Sequence, residues 1–219
     1  STSHTSPVML ISRKLTADAR PIVDFRVLNS RIVKRNTATP LLRDILNILG
    51  NSKVDLMTCV DIKDAFHSLR LEEDSREYCG ILPYFGSPHY HYVRMPMGLA
   101  ISPAKWMEYV EIILETMPHR NQFIAIMDDM LIHSKRNEHF ELIIELFEAM
   151  RQHGLKLSPK KCQFSMTELE YIGNMFNIKN GQMTITPLRS RVEAVQKIAP
   201  PKTVKEIKSF CGVVNYLAL

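Results

Sequence analysis

The stretch QFIAIMDDMLIHS sets two adjacent aspartates, Asp128 and Asp129, between two apolar runs. Short apolar runs bounded this way read as strands, so the acids fall at or beside the turn that joins them. Two like charges beside apolar surface cost stability unless solvent, a proton or a cation relieves them. Two readings follow. Aspartate is well tolerated in turns, so the pair can be an exposed hairpin tip. Alternatively, the pair meets a third acid at a neighbouring strand end. Asp61 is the natural third member, because it too follows an apolar run, LMTCV. Such an oxygen-only set suits Mg²⁺, which keeps water and substrate phosphates as its other ligands. Bound cations offset the repulsion between the acids, and a two-metal site points to phosphoryl or nucleotidyl transfer.

The remaining chain mixes short strands with long helices. PVMLIS and RPIVDFRVLN read as strands around a polar loop. TPLLRDILNILGN reads as a helix with Thr39 as N-cap, Pro40 as first helical residue and Gly50-Asn51 as its end. VDLMTCVDIKDAFHSLRL is an apolar run that carries Asp61 and Asp64 near its end, and REYCGIL and HYHYVRMP read as strands around a turn at YFGSP. SPAKWMEYVEIILETMP predicts a helix with Ser102 as N-cap and Pro103 as first helical residue. NEHFELIIELFEAMRQHG predicts another, capped by Asn137 and stopped by Gly154. Three strand-like stretches follow, with a turn at Asn180-Gly181. Two helical stretches close the chain, the second capped by Thr203. The order is not a regular βαβ alternation, which favours an α+β fold with helices on one face of an antiparallel sheet.

Composition narrows the classes. A chain of 219 residues can bury a real core as one large or two small domains. The formal charge of +5 leans toward an anionic partner such as nucleic acid. Cys59, Cys79, Cys162 and Cys211 lack zinc-site spacing, and the first two read as small buried hydrophobes. No apolar run approaches the ~20 residues of a membrane helix, so no membrane partner is expected. The abrupt ends read as those of a piece of a longer chain. Several conspicuous side chains have plain explanations. Glu72, Glu73 and Asp74 form a solvated run, Asp24 makes a structural ion pair with an arginine nearby, and Trp106 and Tyr109 pack in a core.

In chain order, RPIVDFRVLN, VDIKDAF, MPMGLAISPAKW, IMDDMLI, LKLSPKKCQF, LEYIGNMF and PPKTVKEIKSFCGVVNY resemble motifs of reverse transcriptases. The closest likeness is to gypsy-type LTR retrotransposons, and the retroviral enzymes are more distant. One such motif is weak evidence; the ordered set, spanning nearly the whole chain, is strong. The resemblance implies a right-hand polymerase fold of the α+β class, with an antiparallel palm sheet packed on helices. Fingers would take residues 1–36 and 69–101, palm 37–68 and 102–179, and an incomplete thumb or connection 180–219. It implies an RNA-directed DNA polymerase that transfers dNTPs onto a primer 3′-hydroxyl on an RNA or DNA template. Two Mg²⁺ ions are implied, with Mn²⁺ as a substitute. Other polyprotein segments (RNase H, integrase) are implied partners, and a cytoplasmic retroelement particle or the nucleus is the implied location.

By the same likeness, Asp61, Asp128 and Asp129 correspond to the palm carboxylates, Asp61 and Asp128 holding the metals most directly with the backbone carbonyl of Ile62 assisting, and Asp129 shaping the field and binding metal less directly. Arg20 and Lys14 (or Arg13) match the fingers cations on the triphosphate. Phe66, five residues after Asp61, matches the aromatic that lies under the sugar ring and excludes a 2′-hydroxyl. Met97 and Gly98 match the loop lining the nucleotide pocket. Lys161, or Lys160, is the candidate general acid for pyrophosphate. Tyr171, Ile172 and Gly173 match the primer grip. One departure stands out: Ile126 occupies the position where the family usually carries Tyr, so a hydrogen bond near the primer end is lost. That loss motivates an alternative, a catalytically inactive or domesticated nucleic-acid-binding domain.

Overall fold

Residues 5–12, 19–33, 42–50, 53–179 and 181–217 are described by the computed structural model. In chain order the elements are β1 (Thr5–Ser12), β2 (Ala19–Val23), α1 (Arg26–Asn29), α2 (Leu42–Gly50), β3 (Leu56–Lys63), α3 (Ala65–Ser68) and α4 (Glu73–Arg76). There follow β4 (Gly80–Leu82), β5 (Tyr90–His91), α5 (Ser102–Glu115), β6 (Phe123–Ile126), β7 (Asp129–Ser134), α6 (His139–Gln152) and β8 (Lys156–Leu157). The last are β9 (Gln163–Met166), β10 (Glu168–Tyr171), β11 (Asn174–Lys179), β12 (Gln182–Pro187), α7 (Arg189–Gln196) and α8 (Val204–Leu217). The chain divides into two compact units, the first made of residues 1–38, 62–117 and 149–156, the second of 39–61, 118–148 and 157–219.

The first unit holds a sheet of order β2-β1-β4-β5. Its β1–β2 and β4–β5 pairs are antiparallel, but β1 and β4 run parallel, so this sheet is mixed. Its core gathers Val23, Phe25, Cys79 and Leu99. RPIVDFRVLN is extended only to Val23. There the Asp24 carboxylate accepts the Arg26 backbone N–H at 3.1 Å and the Arg26 guanidinium at 2.6 Å. That local turn, with the expected ion pair in it, starts α1 instead of continuing the strand. REYCGIL likewise opens as helix: Glu73 and Asp74 sit in the first turn of α4, where the helix dipole favours acids. Only Gly80–Leu82 of it, and Tyr90–His91 of HYHYVRMP, are strand. In α5, Ser102 is the first helical residue and not the cap. Its buried hydroxyl donates to the Pro96 carbonyl at 2.9 Å, and Ile101 takes the cap position without a side-chain bond.

The second unit holds the sheet that positions the acids. β7 pairs antiparallel with β6 on one side and β3 on the other, and β9 also lies against β3. A separate meander, β10-β11-β12, completes the unit. Ile45, Leu49, Val54, Met57, Leu131 and Phe176 bury between these layers. Inward residues of β10 alternate with exposed ones, the period-two pattern of a half-buried strand. α6 begins at His139, two residues beyond the expected Asn137 cap. His139 itself is buried and bridges the Thr58 and Ser134 hydroxyls, both at 2.8 Å. The Gly154 stop is as expected, with φ +63° and Leu155 N–H bonded to the Met150 carbonyl. Thr203 caps α8 reciprocally with Glu206. The expected cap Thr39 and first helical residue Pro40, Asn51 of the expected helix end, and Asn180 of the expected turn lie outside the described residues.

Candidate active site

The β3–β7 register sets Asp61 directly opposite Asp129. Ile126 pairs with Asp129 across the β6–β7 hairpin, which leaves Met127-Asp128 as a two-residue turn. Met127 has φ +57°, a conformation that non-glycine residues adopt at a cost of about 1–3 kcal/mol. Asp128 is exposed, Asp129 half-buried, and Asp61 only 8% exposed. The three acids therefore meet at one end of the β3–β7 pairing but do not share an environment.

Burial pushes the Asp129 carboxyl pKa upward, and the charges of Asp128 and Asp61 push it the same way, while Lys161 opposes them. Lys161 reaches across from the turn before β9, and its ammonium donates to Asp61 Oδ2 at 2.7 Å. That bond holds the ammonium above its ordinary pKa. Part of the repulsion is thus offset by water at Asp128 and by Lys161 at Asp61. A cavity of about 570 Å³ opens here, lined by Asp61, Asp129 and Lys161 together with Glu170, Gly173 and Arg191. Cys59 also faces it, but burial pushes its thiol up to about 12, so it stays a protonated thiol at neutral pH.

Among the described residues, no three His, Cys, Asp or Glu side chains converge tightly enough to hold an ion alone. Asp61 and Asp129, facing one cavity, still fit Mg²⁺, which typically takes one or two carboxylates plus water and substrate phosphates. The all-oxygen donor set disfavours zinc and copper.

The turn joining β10 to β11 also reaches this cavity. Ile172 has φ +49° and Gly173 φ +68°, giving a tight two-residue loop between the paired Tyr171 and Asn174. The Tyr171 side chain points away into the core, 2% exposed and edge-on to Phe176 at 5.8 Å. All three residues of the expected primer grip, Tyr171, Ile172 and Gly173, border the cavity. Ile126 packs against the core of the same unit.

Of the other expected residues, Ile62, Phe66, Met97 and Gly98 belong to the first unit, and Lys160 is exposed beside Lys161 in the second. Ile62 is buried in β3, and Phe66 is half-buried in α3, which starts after Asp64 in a left-handed conformation. Met97 is 42% exposed, beside Gly98 at φ +95°. Asn29 clamps this loop: its Nδ2 donates to the Gly98 carbonyl at 2.9 Å and its Oδ1 accepts the Ala100 N–H at 2.7 Å. Asn29 was legible only as part of the RPIVDFRVLN motif, without a role. Arg191 was not singled out, because nothing local marks one arginine of PLRSRVEAV over another. Arg20 pairs in β2 opposite Ile11, with its side chain outside the described residues, as are Arg13 and Lys14.

A family model described as reverse transcriptase (RNA-dependent DNA polymerase) matches residues 12–176. The Retrovirus-related Pol polyprotein from transposon 412 of Drosophila melanogaster is 27% identical over 219 residues, covering 97% of this chain and 17% of that protein. The Transposon Tf2-7 polyprotein of Schizosaccharomyces pombe is 28% identical over 217 residues, covering 98% and 15%. The chain thus spans less than a fifth of these relatives. Among solved structures, the foamy viral protease-reverse transcriptase dRH in complex with double-stranded DNA matches at TM-score 0.77 and 20% identity, over 99% of this chain and 36% of that one. The foamy viral protease-reverse transcriptase with an RNA/DNA hybrid matches at TM-score 0.73 and 21% identity, over 97% and 27%.

Proposed function

Because the chain belongs to the reverse transcriptase (RNA-dependent DNA polymerase) family, we propose that it adds dNTPs to a primer 3′-hydroxyl at the Asp61–Asp129 cavity, copying an RNA or DNA template. Its fold is the right-hand polymerase fold of its structural neighbours. The observation that carries the reading is the cross-strand pairing of Asp61 with Asp129 at one cavity, with Asp128 in the adjoining turn.

Asp61 and Asp129, with Asp128 beside them, would hold two Mg²⁺ ions, for which Mn²⁺ can substitute. When bound, such ions lower the pKa of an attacking hydroxyl and stabilise the charge on leaving pyrophosphate. Asp61 and Asp129 stand opposite each other on facing strands, so both carboxylates would be available to the same ions. Lys161 remains an ammonium at neutral pH and stands beside Asp61 with a proton for the leaving group. The Ile172-Gly173 turn holds the primer end beside the acids. Arg20 and Lys14 serve the triphosphate, Phe66 the sugar, and the Met97-Gly98 loop the nucleotide, kept in shape by Asn29. In its parent chain this domain would work beside RNase H and integrase segments, in a cytoplasmic particle.

Binding of a fluorescent dNTP to the protein–template-primer complex tests this. Binding should require Mg²⁺ in wild type and lose that dependence in Asp61→Asn. Equal dNTP binding with and without Mg²⁺ in wild type would leave a nucleic-acid binder without chemistry.

A further inference from the structure

A second cavity lies in the same unit as the acids, at the other end of their strands. It holds about 300 Å³, and its lining includes Lys53, Asn121, Gln122, His133, Lys135 and Glu138. Along the β3–β7 pairing, Ser134 stands opposite Leu56, whereas Asp129 stands opposite Asp61. The rise of a strand puts roughly 16 Å between those two levels. The two cavities have no lining residue in common.

His133 is the unusual group here. It is 3% exposed, and its Nε2 has no hydrogen-bond partner among the described residues. The other ring nitrogen bonds the Asn121 backbone, which fixes the ring proton on that side. Burial lowers the pKa to about 4, so the imidazole is neutral at pH 7. Nε2 is therefore a bare acceptor at the cavity wall. A buried acceptor without a donor is costly, so the cavity favours an occupant that brings an O–H or N–H.

The charges set a second requirement. Lys53 and Lys135 are exposed in the lining and face one carboxylate, Glu138, so the rim is net positive and favours an anion. A ribose phosphate joins a hydroxyl donor to an anion in one small unit. The chain's family copies RNA, which favours ribose over other hydroxylated anions.

We propose that this cavity is a ribose-phosphate site, in which a ribose hydroxyl donates to His133 Nε2 and the attached phosphate lies against Lys53 and Lys135. Two sources share that chemistry: a free ribonucleotide, and one ribonucleotide unit of an RNA strand. The site uses none of the acidic cavity, so it does not depend on the polymerase activity proposed above.

Histidine ¹⁵N NMR of the protein tests this, with the His133 resonances assigned by their loss in His133→Gln. Adenosine 5′-monophosphate or a single-stranded oligoribonucleotide should move the Nε2 resonance. A shift with the mononucleotide assigns the site to free ribonucleotides; a shift with the oligoribonucleotide alone assigns it to an RNA strand. The matching probe without the hydroxyl, 2′,3′-dideoxyadenosine 5′-monophosphate or the 2′-O-methyl oligonucleotide, should leave the resonance in place. Lys53→Ala with Lys135→Ala, both exposed and away from the buried ring, should weaken the titration about tenfold. Equal shifts with and without the hydroxyl would overturn the proposal. So would an Nε2 resonance that neither the mononucleotide nor the oligoribonucleotide moves, or an affinity unchanged in the double lysine variant.

Discussion

Phe66 is where residue chemistry makes its sharpest claim. It is half-buried in a four-residue helix that begins after a left-handed Asp64, so its ring is held by short-range geometry more than by a long element. A ring fixed beneath the sugar would exclude a 2′-hydroxyl by volume alone. Phe66→Ala should therefore raise ribonucleotide incorporation relative to deoxynucleotide by roughly tenfold or more, a change of at least 1.4 kcal/mol in discrimination. Competing incorporation of dNTP and rNTP measures it, and an unmoved ratio removes Phe66 from that role. Asn29 teaches a related lesson. Its two bonds to the Gly98–Ala100 backbone span about seventy residues of sequence and have no local signature. A motif can mark such a residue, but only the fold reveals what it holds.

At the scale of elements, β7 and α6 carry two histidines buried as neutral groups. Burial lowers the His133 pKa from 6.5 to about 4 and depresses His139 as well. The unfolded chain therefore takes up protons below about pH 6.5 that the folded chain refuses until about pH 4. Stability from these histidines is present above pH 6.5 and is lost as pH falls toward 4, by about 3 kcal/mol for His133. Asp129 acts in the opposite sense, since its raised pKa makes its ionised form costly and protonation a relief. Urea unfolding at pH 7.5 and pH 5 should show a lower midpoint at pH 5, and His133→Gln should flatten that difference. An equally steep difference in His133→Gln would refute the assignment. These elements were also unevenly legible. Helices ending on Gly154 or starting at Thr203 were readable because their signals are backbone requirements or reciprocal hydrogen bonds. Ser102 misled because its buried hydroxyl sits inside the first turn and donates to the Pro96 carbonyl, whereas a capping hydroxyl accepts a backbone N–H. RPIVDFRVLN and REYCGIL misled because apolar spacing does not separate a short strand from a single helical turn.

For the whole molecule, the α+β class and the polymerase fold were legible from the ordered motifs and from the mixture of short strands and long helices. The parallel β1–β4 pair was not, because strand partners distant in sequence carry no mark of direction. Asp61 was readable as the third member beside Asp128 and Asp129 because it follows an apolar run; that it lies directly opposite Asp129 is a matter of register that one residue's slip would undo. That register is the centre of the account, and extension of an oligo(dT)-primed RNA template with dNTPs and Mg²⁺ tests it most directly. Wild type should extend the primer, and Asp61→Asn, which keeps the size but removes the charge, should abolish extension while leaving template-primer binding in place. Extension by Asp61→Asn at the wild-type rate would contradict the account.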